Sequence, residues 1–249
     1  MPSSREWRLY FEGNAASLLE VPWHAGPELT PDEAAAIAGS LQEFQAGGSS
    51  EGRHLLRYAK AYSRRTGDQD YVTAIRLFIA EEQRHARDLG RFLALHAIPL
   101  VHTTFADRVF RRLRNLAGAL EVSIGVLVTA EIIAKAYYGV LRRATRSTIL
   151  VRFCDQILRD ELRHVQFHAD RLRRLRARRS RPGLAATMGA QRFLYLGTVC
   201  VVWWNHRHAI RRGGWSGADW WRACWREFDE AFAHVPRATG EAAAFLGER

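Results

Sequence analysis

The sequence predicts an all-α protein: a four-helix bundle followed by an additional C-terminal helical segment. Three observations carry that expectation. Apolar residues recur in alternating steps of three and four along four separate stretches, the spacing of a helix face turned to a core. Seven prolines in 249 residues fall almost wholly outside those stretches, as helix interiors require. A Glu-x-x-His pair occurs twice in matching surroundings, Glu81-Glu82-Gln83-Arg84-His85 and Asp160-Glu161-Leu162-Arg163-His164. An apolar content of 47% supports a sizeable core. The expected division is an N-terminal arm over 1–30, the bundle over 31–178, and a helical, Trp-rich extension over 179–249.

In order, residues 1–29 carry Trp7, Trp23, Pro22 and Pro27 without a clear period, and read as an irregular arm packed on the bundle. Thr30-Pro31-Asp32-Glu33 is a helix start, with Thr30 as cap, Pro31 in the first turn and Glu33 closing a capping box. The stripe Ile37, Leu41, Phe44, Gly48, Glu51, Leu55, Tyr58, Tyr62 then predicts one helix, kinked at Gly47-Gly48-Ser49-Ser50. It selects Glu51 over Glu43, which falls off it. Gly67-Asp68 separates this helix from the second, whose stripe is Val72, Ile75, Phe78/Ile79, Glu82, His85, Leu89, Phe92, His96. After a basic stretch from Arg108 to Arg114, the third runs Leu113, Leu116, Leu120, Ile124, Leu127/Val128, Glu131, Tyr138, Leu141. The fourth runs Leu150, Phe153/Cys154, Ile157, Glu161, His164/Val165, His168, Leu172. Arg171 to Arg181 reads as a solvated helix end. Gly183 to Trp204 is mostly apolar, but its pure apolar core of 12 residues, Phe193 to Trp204, falls short of the ~20 that span a bilayer. A buried fifth helix is the preferred reading over membrane contact. The tail with Trp215, Trp220, Trp221 and Trp225 would cover the bundle or a substrate mouth.

Residues three apart share a helix face, so Glu82 with His85, and Glu161 with His164, can grip one metal ion per pair. Glu51 precedes Glu82 by 31 residues and Glu131 precedes Glu161 by 30. One Glu from each of two helices and a Glu-x-x-His from each of the other two is the ligand inventory of a two-metal bundle. Glu131 is the only charge between Glu121 and Lys135. Any one of these residues could be a satisfied buried polar group. Four carboxylates turned to one core carry a large desolvation cost, which cations relieve. Oxygen and nitrogen donors without thiolate suit iron or manganese rather than a closed zinc site.

On these motifs residues 31–175 resemble the ferritin-like di-iron carboxylate superfamily, and in pattern its oxygen-activating branch, such as acyl-carrier-protein desaturases and ribonucleotide reductase small subunits. The resemblance implies two iron ions, with manganese or a mixed Fe/Mn pair open. Glu82 and Glu161 would bridge them, Glu51 and Glu131 would be terminal, and His85 and His164 would each serve one metal. It further implies that Asp160 and Glu81 hydrogen-bond the ligand histidines across the site. Arg84 and Arg163 could pair with those acids or face solvent. His96, His168, Tyr58 and Tyr138 read as core residues.

The implied activity is a di-iron oxidoreductase that uses O2 to hydroxylate or desaturate an organic, apolar substrate. The alternative is a ferritin- or rubrerythrin-like protein that oxidises iron or reduces peroxide without an organic substrate. Net charge of +11 favours an acidic partner, such as an acidic carrier bearing the substrate, ahead of nucleic acid or an anionic membrane. No second redox site is visible, so an external electron donor is expected. Cys154, Cys200 and Cys224 form no Cys-x-x-Cys pair, which argues against a rubredoxin-type iron site and a disulfide framework. A cytoplasmic protein is expected, and a homodimer is left open.

Overall fold

The computed structural model describes residues 1–48, 52–101, 119–177 and 179–233. Every regular element among them is helical: α1 (Ser4–Ala15), a 3-10 turn (Trp23–Ala25), α2 (Pro31–Gly48), α3 (Arg53–Thr66), α4 (Gln69–Leu95), α5 (Leu120–Ala144), α6 (Thr148–Arg176), α7 (Arg181–Arg212) and α8 (Gly217–Phe232). Short polar side chains fix the starts. Thr30 and Glu33 cap α2 reciprocally at 2.9 and 3.2 Å. Asp68 accepts from the Tyr71 amide, Ser147 from Leu150, Ser180 from Gly183, and Ser216 pairs with Asp219 in a capping box.

The bundle is built from α2/α3, α4, α5 and α6. The last two pack along each other, and α4 lies against α2, α3 and α6. Its core holds Ile37, Leu41, Leu55, Ile75, Phe78, Leu89, Ile124, Val128, Ile132, Phe153 and Ile157, all buried. All but Ile132 are stripe positions read from the sequence. Leu113, Leu116 and the basic stretch 108–114 lie outside the described residues.

Four expectations need correction. The first stripe belongs to two helices rather than one. α2 stops at Gly48 and α3 begins at Arg53, and Gly52 stands at φ +63° where a Cβ would run into Ile79. Only glycine takes that conformation without cost. The N-terminal arm is not irregular throughout, because α1 packs along α4 with Trp7, Phe11 and Asn14 buried. The run from Arg171 is not a solvated end. Arg171 lies 3.6 Å from the Tyr71 ring centroid and 3.3 Å from Asp68, Arg176 and Arg179 share Glu121, and Arg174 reaches the Pro2 carbonyl. Finally, α7 is a buried fifth helix on one face only. Tyr195, Val199, His206 and Ile210 are covered by α2, α5 and α8, while Phe193 and Trp204 are exposed.

α8 does cover the bundle. It buries Trp220, Cys224 and Phe228, and Glu227 pairs with Lys135 of α5. α5 is long and apolar enough to cross a membrane by length and composition, but 72% of its most apolar window is buried inside the fold.

Candidate metal centre

The facing turns of α4, α5 and α6 bring the predicted ligands together. Glu82, Glu131, Glu161 and His164 each offer a donor atom, and these atoms lie within 4.8 Å of one another. His85 joins them, with Nδ1 3.3 Å from Glu82 and 3.9 Å from Glu161. His164 Nδ1 lies 3.2 Å from Glu82, 3.7 Å from Glu161 and 3.8 Å from Glu131. Glu51 lies outside the described residues. Glu43, set aside in favour of Glu51, is not in this group, and its carboxylate faces His206 Nε2 at 3.4 Å.

The far side of each imidazole is held from the opposite helix. His85 Nε2 meets Asp160 of α6 at 2.8 Å, and His164 Nε2 meets Glu81 of α4 at 2.9 Å. With Nε2–H donated outward, Nδ1 of each ring is the nitrogen turned into the carboxylate group, free to bind a metal once it has lost any proton. Arg84 supports this arrangement by donating to Asp160 at 2.7 Å. Arg163 does not; it donates to Gln166 and lies over Tyr10.

Two supporting residues escaped the sequence reading. Asn14 of α1 donates through one nitrogen to Glu81 at 2.6 Å and Asp160 at 2.8 Å, tying together the two acids that orient the two histidines. Gln156 adds 2.8 Å to Asp160. The available signal was the buried face Trp7, Phe11, Asn14, stepping by four and three behind the Ser3–Glu6 capping box.

The donor set fits a metal pair. Glu82 Oε1, Glu161 Oε2 and His164 Nδ1 are buried without a hydrogen-bond partner of good geometry among the described residues, although they face one another. Buried polar atoms are ordinarily satisfied, and lone pairs converging in this way are what a cation satisfies. The charges are strained to match. Burial, and then the neighbouring Glu131 carboxylate, push Glu161 well above the usual carboxylate range. Burial opposes charge on His164, but the carboxylates of Glu131, Glu161, Glu81 and Glu82 outweigh it and raise its pKa well above normal. Burial likewise opposes ionisation of Glu82, yet His164 and His85 hold it low.

Beside the group lies a cavity of about 250 Å3, walled by Phe44, Leu55, Phe78, Ile79, Leu89, Leu127, Tyr138 and Val202. Glu82, His85, Glu131 and Glu161 line it, and so do Glu43 and His206. His206 Nδ1 meets Ser40 at 2.7 Å, and Ser40 meets Tyr137 at 2.5 Å. Burial pushes His206 down to about 4. Of the histidines read as core, His96 is satisfied by the Glu28 and Leu29 amides and the Phe92 carbonyl. His168 has no partner on either nitrogen among the described residues and stands edge-on to Phe78. Tyr58 and Tyr138 are buried core residues.

No family model and no curated protein sequence matches the chain. Among solved structures it is similar to a mutant R2-like ligand-binding oxidase with an aerobically reconstituted Mn/Fe cofactor. The TM-score is 0.66 at 15% identity, over 94% of each chain. The shared property is the fold, a ferritin-like helical architecture that extends over the C-terminal helices as well as the bundle.

Proposed function

We propose that this protein is a two-metal oxidase that uses O2 to oxidise an apolar organic substrate. The observation that carries the reading is the conjunction of buried donors without partners among the described residues (Glu82, Glu161, His164) with an apolar cavity lined by the same carboxylates. The Mn/Fe cofactor of the similar oxidase supports a pair of iron ions or a manganese–iron pair. Glu82, His85, Glu131, Glu161 and His164 would hold it, with Glu51 as the sixth ligand. When bound, such a pair supplies electrons and Lewis acidity for the reduction of O2.

The protein's own part is orientation, substrate seating and control of protons. Asp160 and Glu81 fix the histidine tautomers. Asn14, Gln156 and Arg84 hold those acids in place. Protons that Glu161 and His164 retain in the metal-free state would leave as metal enters. The walls from Phe44, Phe78, Ile79 and Leu127 would seat an apolar chain against Glu131 and Glu161. Electrons for repeated turnover would come from a separate donor protein. An iron-oxidising or peroxide-reducing protein has no use for such a cavity.

The test is anaerobic loading with Fe(II), or Fe(II) plus Mn(II), followed by air in the presence of alkyl-chain alcohols and hydrocarbons. Products should gain oxygen or lose two hydrogens by mass spectrometry. Ala134→Phe, which fills the cavity, should abolish product while leaving metal loading intact. Oxygen uptake that oxidises only the metal, whatever is offered, would count against the proposal.

A further inference from the structure

The outward face of α7 is unlike the rest of the surface. Ala186, Gly189/Ala190, Phe193, Gly197, Cys200/Val201 and Trp204 recur in steps of three and four, and all are exposed. Phe193 is 80% exposed, Trp204 68% and Val201 47%. At 1.5 Å per residue this stripe runs for about 27 Å. Large apolar residues exposed in a row mark an interaction surface, whereas scattered ones do not. The face meets no other described helix.

Charge selects the occupant. α7 has no Asp or Glu in 32 residues but carries Arg181, Arg192, Arg207, Arg211 and Arg212. Arg181, Arg192, Arg211 and Arg212 are exposed, and Arg207 lies over the Trp204 ring at 4.7 Å. A second copy of this face offers no counter-charge, and each copy brings a net +11. An anionic lipid surface offers both things the helix lacks: acyl chain for Phe193, Val201 and Trp204, and phosphate for the arginines. A helix with an aromatic apolar face and arginine as its only charged side chain is what lies in the plane of a bilayer interface. At ~1.5 Å per residue the apolar core is too short to span, but lying flat needs no such length.

We propose that α7 docks this protein in plane on an anionic membrane surface, with Phe193 and Trp204 inserted and the arginines on lipid phosphates. The proposal does not need the oxidase reading. On that reading it gives the apolar substrate a source, because Thr198, Val202 and His206, on the opposite side of α7, line the cavity. The cavity would then be one helix away from the bilayer.

Cys200 provides a probe in place. It is exposed on the stripe, while Cys154 and Cys224 are buried. Full-length, metal-free protein labelled at Cys200 with an environment-sensitive fluorophore is mixed with phosphatidylglycerol/phosphatidylcholine vesicles, and unlabelled protein is co-sedimented in parallel. Blue-shifted emission, protection from an aqueous quencher, and sedimentation that weakens with salt are expected with anionic vesicles and not with pure phosphatidylcholine. Phe193→Asp/Trp204→Asp should cut sedimentation at least tenfold. Arg207→Gln/Arg211→Gln should weaken it several-fold with the apolar face unchanged. Circular dichroism should be unaltered in both, since these residues are at or near the surface. Equal binding to both vesicle types, or binding indifferent to the Phe193/Trp204 change, would overturn the proposal. So would a dimer in light scattering that protects Cys200 without vesicles.

Discussion

At the scale of single residues, Asn14 has the largest consequence for its size. Its amide nitrogen is shared by Glu81 and Asp160, and each of those acids orients a histidine on the other helix. Loss of a group that supports a ligand costs typically 10–100-fold in metal affinity. Asn14→Ala should therefore weaken metal binding by at least ~10-fold, measured by competition with a chelator, with helicity unchanged. His206 yields a prediction about pH. Its folded pKa is depressed to about 4 by burial, while the unfolded chain titrates near ~6.5. As pH falls between these values the unfolded state takes up a proton that the folded state refuses, so stability is lost in that window. A shift of this size is worth about 3 kcal/mol. His168, pushed down to about 3 by burial and then by His164, acts in the same direction. The contribution of His206 is isolated by comparison: the denaturant midpoint of His206→Gln should fall less between pH 7 and 4 than that of the wild type, by the equivalent of about one proton.

At the scale of elements, what could be read depended on how completely one face was covered. The stripes of α4, α5 and α6 are enclosed by neighbours and show as unbroken periods, so Glu82, His85, Glu131, Glu161 and His164 fall on inner faces in the sequence alone. α1 was missed because only Trp7 and Phe11 mark its inner face, and the third position is a polar Asn14 whose partners are 67 and 146 residues away. The division of α2 from α3 was missed because a stripe reports which side is buried, not whether the backbone is continuous; Gly52 at φ +63° breaks it. For α7 apolar residues fall on every side, so periodicity could not tell the face against α5 from the face left open. Its C-terminus shows how tightly the inner face is seated. A Cβ on Gly213 would run into the Val140 carbonyl oxygen of α5, and backbone cannot yield as a side chain tip does. Overpacking of this kind costs about 1–3 kcal/mol, so Gly213→Ala should lower the melting temperature by several degrees.

At the scale of the whole molecule, the excess of arginine is divided between two uses. Arg171, Arg173, Arg174, Arg176 and Arg179 are tied to Asp68, the Ala231 and Ala233 carbonyls, the N-terminal carbonyls and Glu121, and so serve to fix α6 and the residues that follow it within the fold. On α7, Arg181, Arg192 and Arg211 are exposed, Arg207 lies over Trp204, and Arg212 donates to the Ala144 carbonyl. The fold then concentrates three described carboxylates and two histidines in one buried place, a costly arrangement for a chain with no ion to hold. Metal bound only by the folded state should stabilise it by about 2.7 kcal/mol at a hundredfold excess over Kd, and stripping with a chelator should lower the melting temperature accordingly. The most direct measurement is the metal content per chain after anaerobic loading with Fe(II), or Fe(II) and Mn(II), and desalting, in wild type and in Glu131→Ala. Two ions per chain in the wild type, and fewer than two in the variant with helicity retained, is the predicted result. A wild type that retains neither metal, or a content that Glu131→Ala leaves unchanged, would contradict the two-metal centre.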